Sequence, residues 1–559
     1  MIERIVKTAL GTAKADLILK NARMINAFTE EELVSDIAIS NGLIAGVGEY
    51  DNSSQVIDLD GACVSPSFIN THCHVESSMC APNRYCLEEL KQGVGTVITD
   101  PHEVANVAGA EGIRFMIDAA SCVPVDYRVQ LPSCVPAACF ESSGAVLAST
   151  DLAKMLDWPS VSGLGEMMNY PGVLGCDEEI LKKLALAKDM IIDGHAPGLT
   201  GRELQAYIAA GIETDHESVT FEEALEKQRA GMAVLIREGS ASKNLDAIVT
   251  GIINSRTSTD HMAFCTDDKH LADIRREGTI RRCVKRSIEL GLPIPQAYKM
   301  ATINAARVYR LGKTGAIAPG YKADLIALDS FASANILLSI KNGAIVDPGT
   351  LCIEKLPDPR NSVFLPELTL DSFTLPKASS YPVIELEKGQ ITTKKSWVEA
   401  SRVSELISEG KLCKVAVIER HKASGRIGIG LLSGYGIKGA AASTVGHDSH
   451  NLITAGDNDL DMLAAALEVK KNWGGFALAQ NGNIVGSLPL PYFGLMSGED
   501  ISGNLESLLK EARAMGVDCG IDPFITLSFL TLPVLPDIRI TDKGIFDVAS
   551  FSFILEGRA

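Results

Sequence analysis

The stretch VSPSFINTHCH (residues 64–74) decides how the chain is read. An apolar, β-prone run over residues 64–70 is followed at once by Thr71, His72, Cys73 and His74. Residues i and i+2 of a strand face the same side, so His72 and His74 are expected to point together and Cys73 away from them. Working outward, short apolar runs recur at 95–99, 127–131, 161–164, 190–192, 211–214, 232–236 and 261–265. Helix-like segments lie between them at 104–119, 178–188, 201–210 and 221–230. Most of the runs are nearly continuous in apolar residues, which suits strands covered on both faces. Eight strands, each followed by a crossover, predict an α/β fold built on a (β/α)8 TIM-like barrel.

The flanks read differently. Residues 15–25, 36–40, 43–47 and 55–59 are brief β-prone runs separated by Asn-Gly and other turn residues, the pattern of a small β-sandwich. After the barrel a helix is expected over 295–309, and GKTGAIAPGYKADLIALD (residues 312–329) returns to turns and strands that complete the sandwich. A Pro- and Ser-rich stretch at 358–382 marks a boundary, and the remainder is mixed α/β. The expected division is 1–63 (first part of the β-sandwich), 64–308 (catalytic barrel), 309–370 (its returning part) and 383–559 (a C-terminal α/β domain).

Composition narrows the class. Lys+Arg number 52 against 70 Asp+Glu in 559 residues, a net charge of −18. That balance argues against a nucleic-acid or anionic-membrane partner, both of which select basic surfaces. No run approaches the ~18 apolar residues of a membrane helix. The thirteen cysteines include no Cys-x-x-Cys pair, which excludes a zinc ribbon and fits free thiols in a reducing compartment. The N-terminus has no apolar core of signal-peptide length, so a soluble, cytoplasmic protein is expected.

Reactive groups of a barrel sit at the C-terminal ends of its strands. The fourth run is followed by Glu166, the fifth by His195, the sixth by His216 and the eighth by Asp267 and Asp268. With His72 and His74, and counting Asp267 alone of the Asp pair, this gives four histidines and two carboxylates, enough nitrogen and oxygen ligands for two divalent ions of the manganese, iron or zinc type. His102 and Glu103 follow the second run. Glu103 reads either as a group that protonates or orients a substrate ring or as an acid at a helix N-terminus. His102 reads as a further ligand or as a wall for a base. Arg237 and Ser240, after the seventh run, read as pocket lining or as a solvated loop. Asp268 reads either as holding a histidine behind the ligands or as capping the next helix. The polar segment His447-Asp448-Ser449-His450-Asn451 reads as a lid over the barrel mouth or as an Asx-rich turn.

PSFINTHCHVESS (residues 66–78) resembles the first-strand motif of the amidohydrolase superfamily, and GYKAD (residues 320–324) its returning-sandwich signature. More narrowly, the chain is similar to the adenine deaminase family. The similarity is carried by HVESS (74–78), DPHEVANV (100–107), GEMMN (165–169), DGHAPG (193–198), DHES (215–218), REGS (237–240), TDD (266–268) and GHDSHN (446–451). Two positions depart from the superfamily pattern: Ser67 stands where Gly is usual and Asn70 where Asp is usual.

The resemblance implies hydrolysis of the purine base adenine to hypoxanthine and ammonia, in purine salvage, by a hydroxide on a binuclear centre. It implies two divalent metal ions, manganese first, with iron or zinc as alternatives. One ion is held by His72, His74 and Asp267, the other by His195 and His216, and Glu166 bridges them. Asp267 is then the proton shuttle and Glu103 the group facing the ring. Arg237, Ser240, His102, His447 and His450 are expected around the substrate, and His447 and His450 enter through the family likeness. A homo-oligomer, taken as a dimer, is expected on base rates. Two other readings stand beside it: an amidohydrolase acting on a cyclic amide or N-acyl amino acid, and a non-catalytic scaffold. All six ligand types are retained, which speaks against the scaffold.

Overall fold

The computed structural model describes residues 2–137, 140–240, 242–387, 390, 392–533, 535, 537–550 and 552–556. It begins with the helix Ile2–Ala9, where the sequence pattern offered only strands. Its apolar residues Ile2, Ile5, Val6 and Ala9 share one face at helical spacing, although Ile2 and Val6 stay largely in solvent. An ion pair from Lys7 to Glu3, one turn apart at 2.6 Å, supports it locally.

The strands Leu17–Ile25, Glu32–Ser40, Leu43–Gly48, Val56–Asp58 and Cys63–Pro66 share one sheet with Leu325–Leu328, Ile336–Lys341 and Ala344–Val346. Segments from before and after the barrel are thus interleaved. The joining pair is Cys63–Pro66 against Leu325–Leu328, antiparallel, with Leu325 opposite Pro66. The Glu32–Ser40 and Leu43–Gly48 strands form a hairpin through Asn41 and Gly42, both at positive φ (52° and 75°). That is the geometry of a two-residue turn matched to strand twist.

The run read as one strand at 64–70 belongs to two. Cys63–Pro66 stays in the first sheet and Phe68–His74 opens the barrel. The switch falls at Pro66, which has no N–H to continue a ladder. Beyond it, Ser67 N bonds Asp324 O (2.9 Å) while Phe68 N bonds Gly93 O (2.8 Å).

The barrel strands are Phe68–His74, Val94–Thr99, Asp126–Leu131, Val161–Met167, Ile191–Gly194, Thr214–Asp215, Ala233–Arg237 and Met262–Cys265. The first five pair in parallel as one curled sheet, and the last three as another. The two sheets meet at both edges: Glu213 N donates to Ile192 O at 2.9 Å, and Thr71 Oγ1 to Phe264 O at 2.8 Å. The result is a TIM-like α/β domain whose strands are buried almost throughout, with Asp126, Arg128 and Ser162 half-buried near strand starts.

Two expected helices are interrupted. His102–Ala120 breaks at Gly109 (φ 56°, ψ −137°), where an added Cβ would lie 3.1 Å from the Ala145 side chain. The helix expected at 295–309 is two, Ile294–Ala301 and Ile303–Val308, because Thr302 leaves helical geometry and its Oγ1 bonds the Tyr298 carbonyl at 2.6 Å.

The C-terminal part is a mixed eight-stranded sheet running from Thr393–Glu399 at one edge to Asn483–Pro489 at the other. The helix Asp459–Lys471 buries Met462, Ala465 and Ala466 on one face. Ser502–Ala514 and Pro523–Leu530 bury Leu508, Phe524 and Leu527 on the other. This unit is tied to the barrel mouth. Ser497 N bonds Met79 O (2.9 Å), Asn451 Nδ2 bonds Ser142 O (2.7 Å), and Thr541 Oγ1 bonds Phe140 O (2.8 Å). Among the described residues no helix is long and apolar enough to cross a membrane.

Candidate active site

The first barrel strand delivers His72 and His74 on one side, their Nε2 atoms 3.1 Å apart and both rings buried. Cys73 points the other way, its Sγ toward the Ile98 carbonyl. His74 Nδ1 lies 3.0 Å from the Asp100 carbonyl, so its proton sits there and Nε2 is left as a lone pair. Asp267 follows the eighth strand, and its Oδ1 is 3.2 Å from His74 Nε2 and 3.7 Å from His72 Nε2. Its backbone is left-handed (φ 54°), a region that Asp tolerates better than most residues.

Glu166, at the end of the fourth strand, stands between two histidine groups. Its Oε1 is 3.5 Å from His74 Nε2, and its Oε2 is 2.7 Å from His195 Nδ1 and 3.2 Å from His216 Nε2. The His72 and His216 rings stack at 4.0 Å between centroids. All six expected ligands therefore meet. The trios His72–His74–Glu166, His72–His216–Asp267 and Glu166–His195–His216 each bring their donor atoms within 4.8 Å of one another. Imidazole lone pairs packed this closely repel unless a proton or cation lies between them. The buried, all nitrogen-and-oxygen donor set fits divalent cations.

The electrostatics point the same way. Burial works against the Asp267 charge, but the Arg237 guanidinium and then His72 and His74 hold its carboxyl well below the usual range. Burial likewise opposes the Glu166 charge, and His195 and His216 override it. Burial disfavours a charge on His195, yet Glu217 and Glu166 bring its pKa up to about 9. His72 is pushed down, first by burial and then by His216.

Supporting residues fix these groups. Arg237 Nη1 donates to Asp267 Oδ2 at 2.9 Å, and the same guanidinium binds both oxygens of Glu217. Glu217 escaped the sequence reading, although it stands directly behind His216 in the strand-end loop. Lys227 is fully buried and ties Asp215 Oδ2 (2.8 Å) to the Ala196 carbonyl (2.9 Å), clamping together the loops that carry His195 and His216. Ser240 faces Asp273, and its Oγ accepts from His270 N at 3.0 Å.

Glu103 lies beside the ligand cluster. Ser77 Oγ donates to its Oε1 (3.1 Å) and also to Asp268. His447 Nδ1 is 3.5 Å from Glu103 Oε1, and His450 Nε2 is 3.6 Å from Oε2. His450 Nδ1 accepts from Gly446 N (3.1 Å), so its neutral ring carries the proton on Nε2, facing Glu103. Burial, with Asp268 adding repulsion, outweighs His447 and raises the Glu103 pKa. His102 Nδ1 is 3.3 Å from Glu166 Oε1, and its Nε2 is 3.6 Å from Asp448 Oδ1. The C-terminal segment thus brings His447, Asp448 and His450 to the barrel mouth. A cleft of about 310 Å³ lies at this junction, with Ser77, Asp268, Ser240 and His270 from the barrel and His447 and Phe529 from the C-terminal part on its walls.

Residues 63–348 match the Amidohydrolase family, and residues 390–552 match the adenine deaminase C-terminal domain. The chain is 43% identical to adenine deaminase 2 of Carboxydothermus hydrogenoformans, over 99% of each chain. It is also 43% identical to the adenine deaminase of Desulfitobacterium hafniense, over 99% of this chain and 98% of that one. The Clostridium acetobutylicum adenine deaminase is again 43% identical, over 99% of this chain and all of its own. With both of its large units matched and relatives alike from end to end, the chain belongs to the adenine deaminase family of the amidohydrolases.

Proposed function

We propose that the protein hydrolyses adenine to hypoxanthine and ammonia at the cluster around Glu166. The observation that carries this reading is the convergence of His72, His74, Glu166, His195, His216 and Asp267 beside the buried acid Glu103. The relatives' shared name, adenine deaminase, weighs against the cyclic-amide or N-acyl amino acid alternative.

In this reading His72, His74 and Asp267 hold one divalent cation, His195 and His216 a second, and Glu166 serves both; manganese is preferred, then iron or zinc. When bound, such a pair acidifies water enough to supply a nucleophile at neutral pH. Asp267, kept ionised by Arg237, takes one proton of the attacking water. As C6 is attacked, the displaced electron pair goes to N1, which takes a proton from Glu103. The C6–N bond then breaks, the amine leaves as ammonia with the proton from Asp267, and the C6 hydroxyl returns its proton to Glu103. His447 and His450 face Glu103 at 3.5 and 3.6 Å, and Ser77 orients its Oε1. His102, Arg237 and Ser240 complete the surroundings of the substrate.

The same reading places the enzyme in the cytoplasm as a homodimer, with a small purine as its substrate. It divides the chain into a flanking β unit formed by 1–66 and 309–370, a barrel to 308 and a C-terminal domain over 383–559, the first boundary moved from 63 to 66 because Cys63–Pro66 stays in the flanking sheet. The test is a substrate panel on manganese-loaded protein: adenine, adenosine, a hydantoin and an N-acyl amino acid. Ammonia from adenine alone is expected. Ring opening of the hydantoin without ammonia from adenine would overturn the reading.

A further inference from the structure

We propose that Phe529, on the C-terminal helix Pro523–Leu530, is the aromatic surface on which the purine ring stacks, a specificity-determining role that rests on the reading of the site as an adenine deaminase. The phenyl ring lies against His447, with centroids 5.0 Å apart and planes 26° from parallel. His447 in turn is 3.5 Å from Glu103, so the stacked pair reaches from the C-terminal helix to the acid that faces the ligand cluster. The cleft of about 310 Å³ is lined at one point by Phe529 and at another by Ser77 and Asp268. Asp268 belongs to a trio with His74 and Asp267 whose donor atoms lie within 4.8 Å of one another. The cleft thus runs from an aromatic face to Ser77 and Asp268, the side chains that border Glu103 and the clustered donors.

Phe529 also lines a neighbouring cleft of about 260 Å³, on whose wall it stands with Ser240 and Ile525. Those three residues line both spaces, so Phe529 stands at the partition between them. The ring is only partly buried, unlike Phe524 of the same helix, which is 3% exposed and packed in the core. Its position is set by backbone bonds rather than by core packing alone. His447 N donates to Ser528 O at 3.1 Å, and Thr531 Oγ1 donates to His447 O at 2.9 Å. The helix and the His447 loop are therefore locked at matching heights. A neutral, planar, π-rich heterocycle is the ligand that such a wall recognises, because stacking rewards a flat ring and asks for no charge.

The experiment compares Phe529→Leu, which keeps apolar bulk but has no π face, with Phe529→Trp, which keeps one. Two readouts are used: kcat and KM for adenine with the manganese-loaded enzyme, and quenching of 2-aminopurine fluorescence on binding. Phe529→Leu is expected to raise KM and the 2-aminopurine Kd about tenfold, with kcat changed by less than about threefold, and Phe529→Trp to restore both. A KM and Kd within twofold of wild type in Phe529→Leu would overturn the proposal, as would an equal loss in the Leu and Trp variants. Wild-type protein that binds 2-aminopurine with a Phe529-dependent affinity yet releases no ammonia from adenine overturns the assigned reaction and upholds the stacking role. Wild-type protein that does not bind the purine overturns both.

Discussion

Arg237 and Asp267 are joined by a buried hydrogen bond of 2.9 Å, from Nη1 to Oδ2, across the ends of two adjacent barrel strands. The bond keeps Asp267 ionised while its other oxygen, Oδ1, faces His72 and His74. A residue expected to line the pocket is thus held between two carboxylates, those of Asp267 and Glu217.

Asp267→Asn removes the acceptor that takes the water proton but keeps the shape. Turnover should fall by about 10²–10⁴-fold, the range of lost general acid–base catalysis, with an unchanged thermal melt. Ammonia release and circular dichroism check the two halves. Near-normal turnover would refute the assigned role.

Arg237→Met strands Glu217 and Asp267 without their cation in a site where Arg237 is 6% exposed. Breaking a buried ion pair from one side costs about 3–5 kcal/mol. The urea midpoint of the chelated protein should drop accordingly, and Arg237→Lys should recover part of it. An unmoved midpoint would contradict the account.

His72→Ala removes one of two nitrogens that lie 3.1 Å apart. Metal content after growth with manganese, read by mass spectrometry, should fall together with the rate. A fully loaded, active variant would count against the place of His72 in the cluster.

Glu89 gives a pH-dependent stability term away from the ligands. It is fully buried and accepts from Tyr85 (3.0 Å), Asn70 (3.2 Å) and Thr279 (2.8 Å). Burial outweighs these bonds and raises its pKa from 4.5 to about 6. The folded state therefore holds this proton more tightly than the unfolded chain. Its contribution is complete below pH 4.5 and is lost as pH rises through 6. The loss is about 2 kcal/mol. Urea titrations of wild type and Glu89→Gln from pH 4 to 8 should show their stability difference shifting by that amount in favour of the variant. A pH-independent difference would contradict it.

The barrel was legible because its strands are short, apolar and buried on both faces, so each leaves a run of residues such as 232–236 that no surface segment imitates. The six clustered positions, His72, His74, Glu166, His195, His216 and Asp267, were legible because each stands at or just after such a run. The helix Ile2–Ala9 does carry its apolar side chains at helical spacing, Ile2, Ile5, Val6 and Ala9, a signal that the strand pattern of the segments after it overshadows. The split at Pro66 was hidden because both sheets accept the same apolar pattern on either side of it. Glu217 was hidden because its partner, Arg237, lies 20 residues away and only the barrel's curvature joins them. Phe529 was hidden because PFITLSFL is apolar on every side, and one ring turned toward a cleft looks like the rest of a core.

The most direct test of the central claim is a manganese titration of chelated protein with adenine present, following ammonia. Release should be absent without metal, rise with added manganese and level off at two ions per chain. Ammonia that is never released at any loading, or that is released equally with no metal at all, would contradict the account.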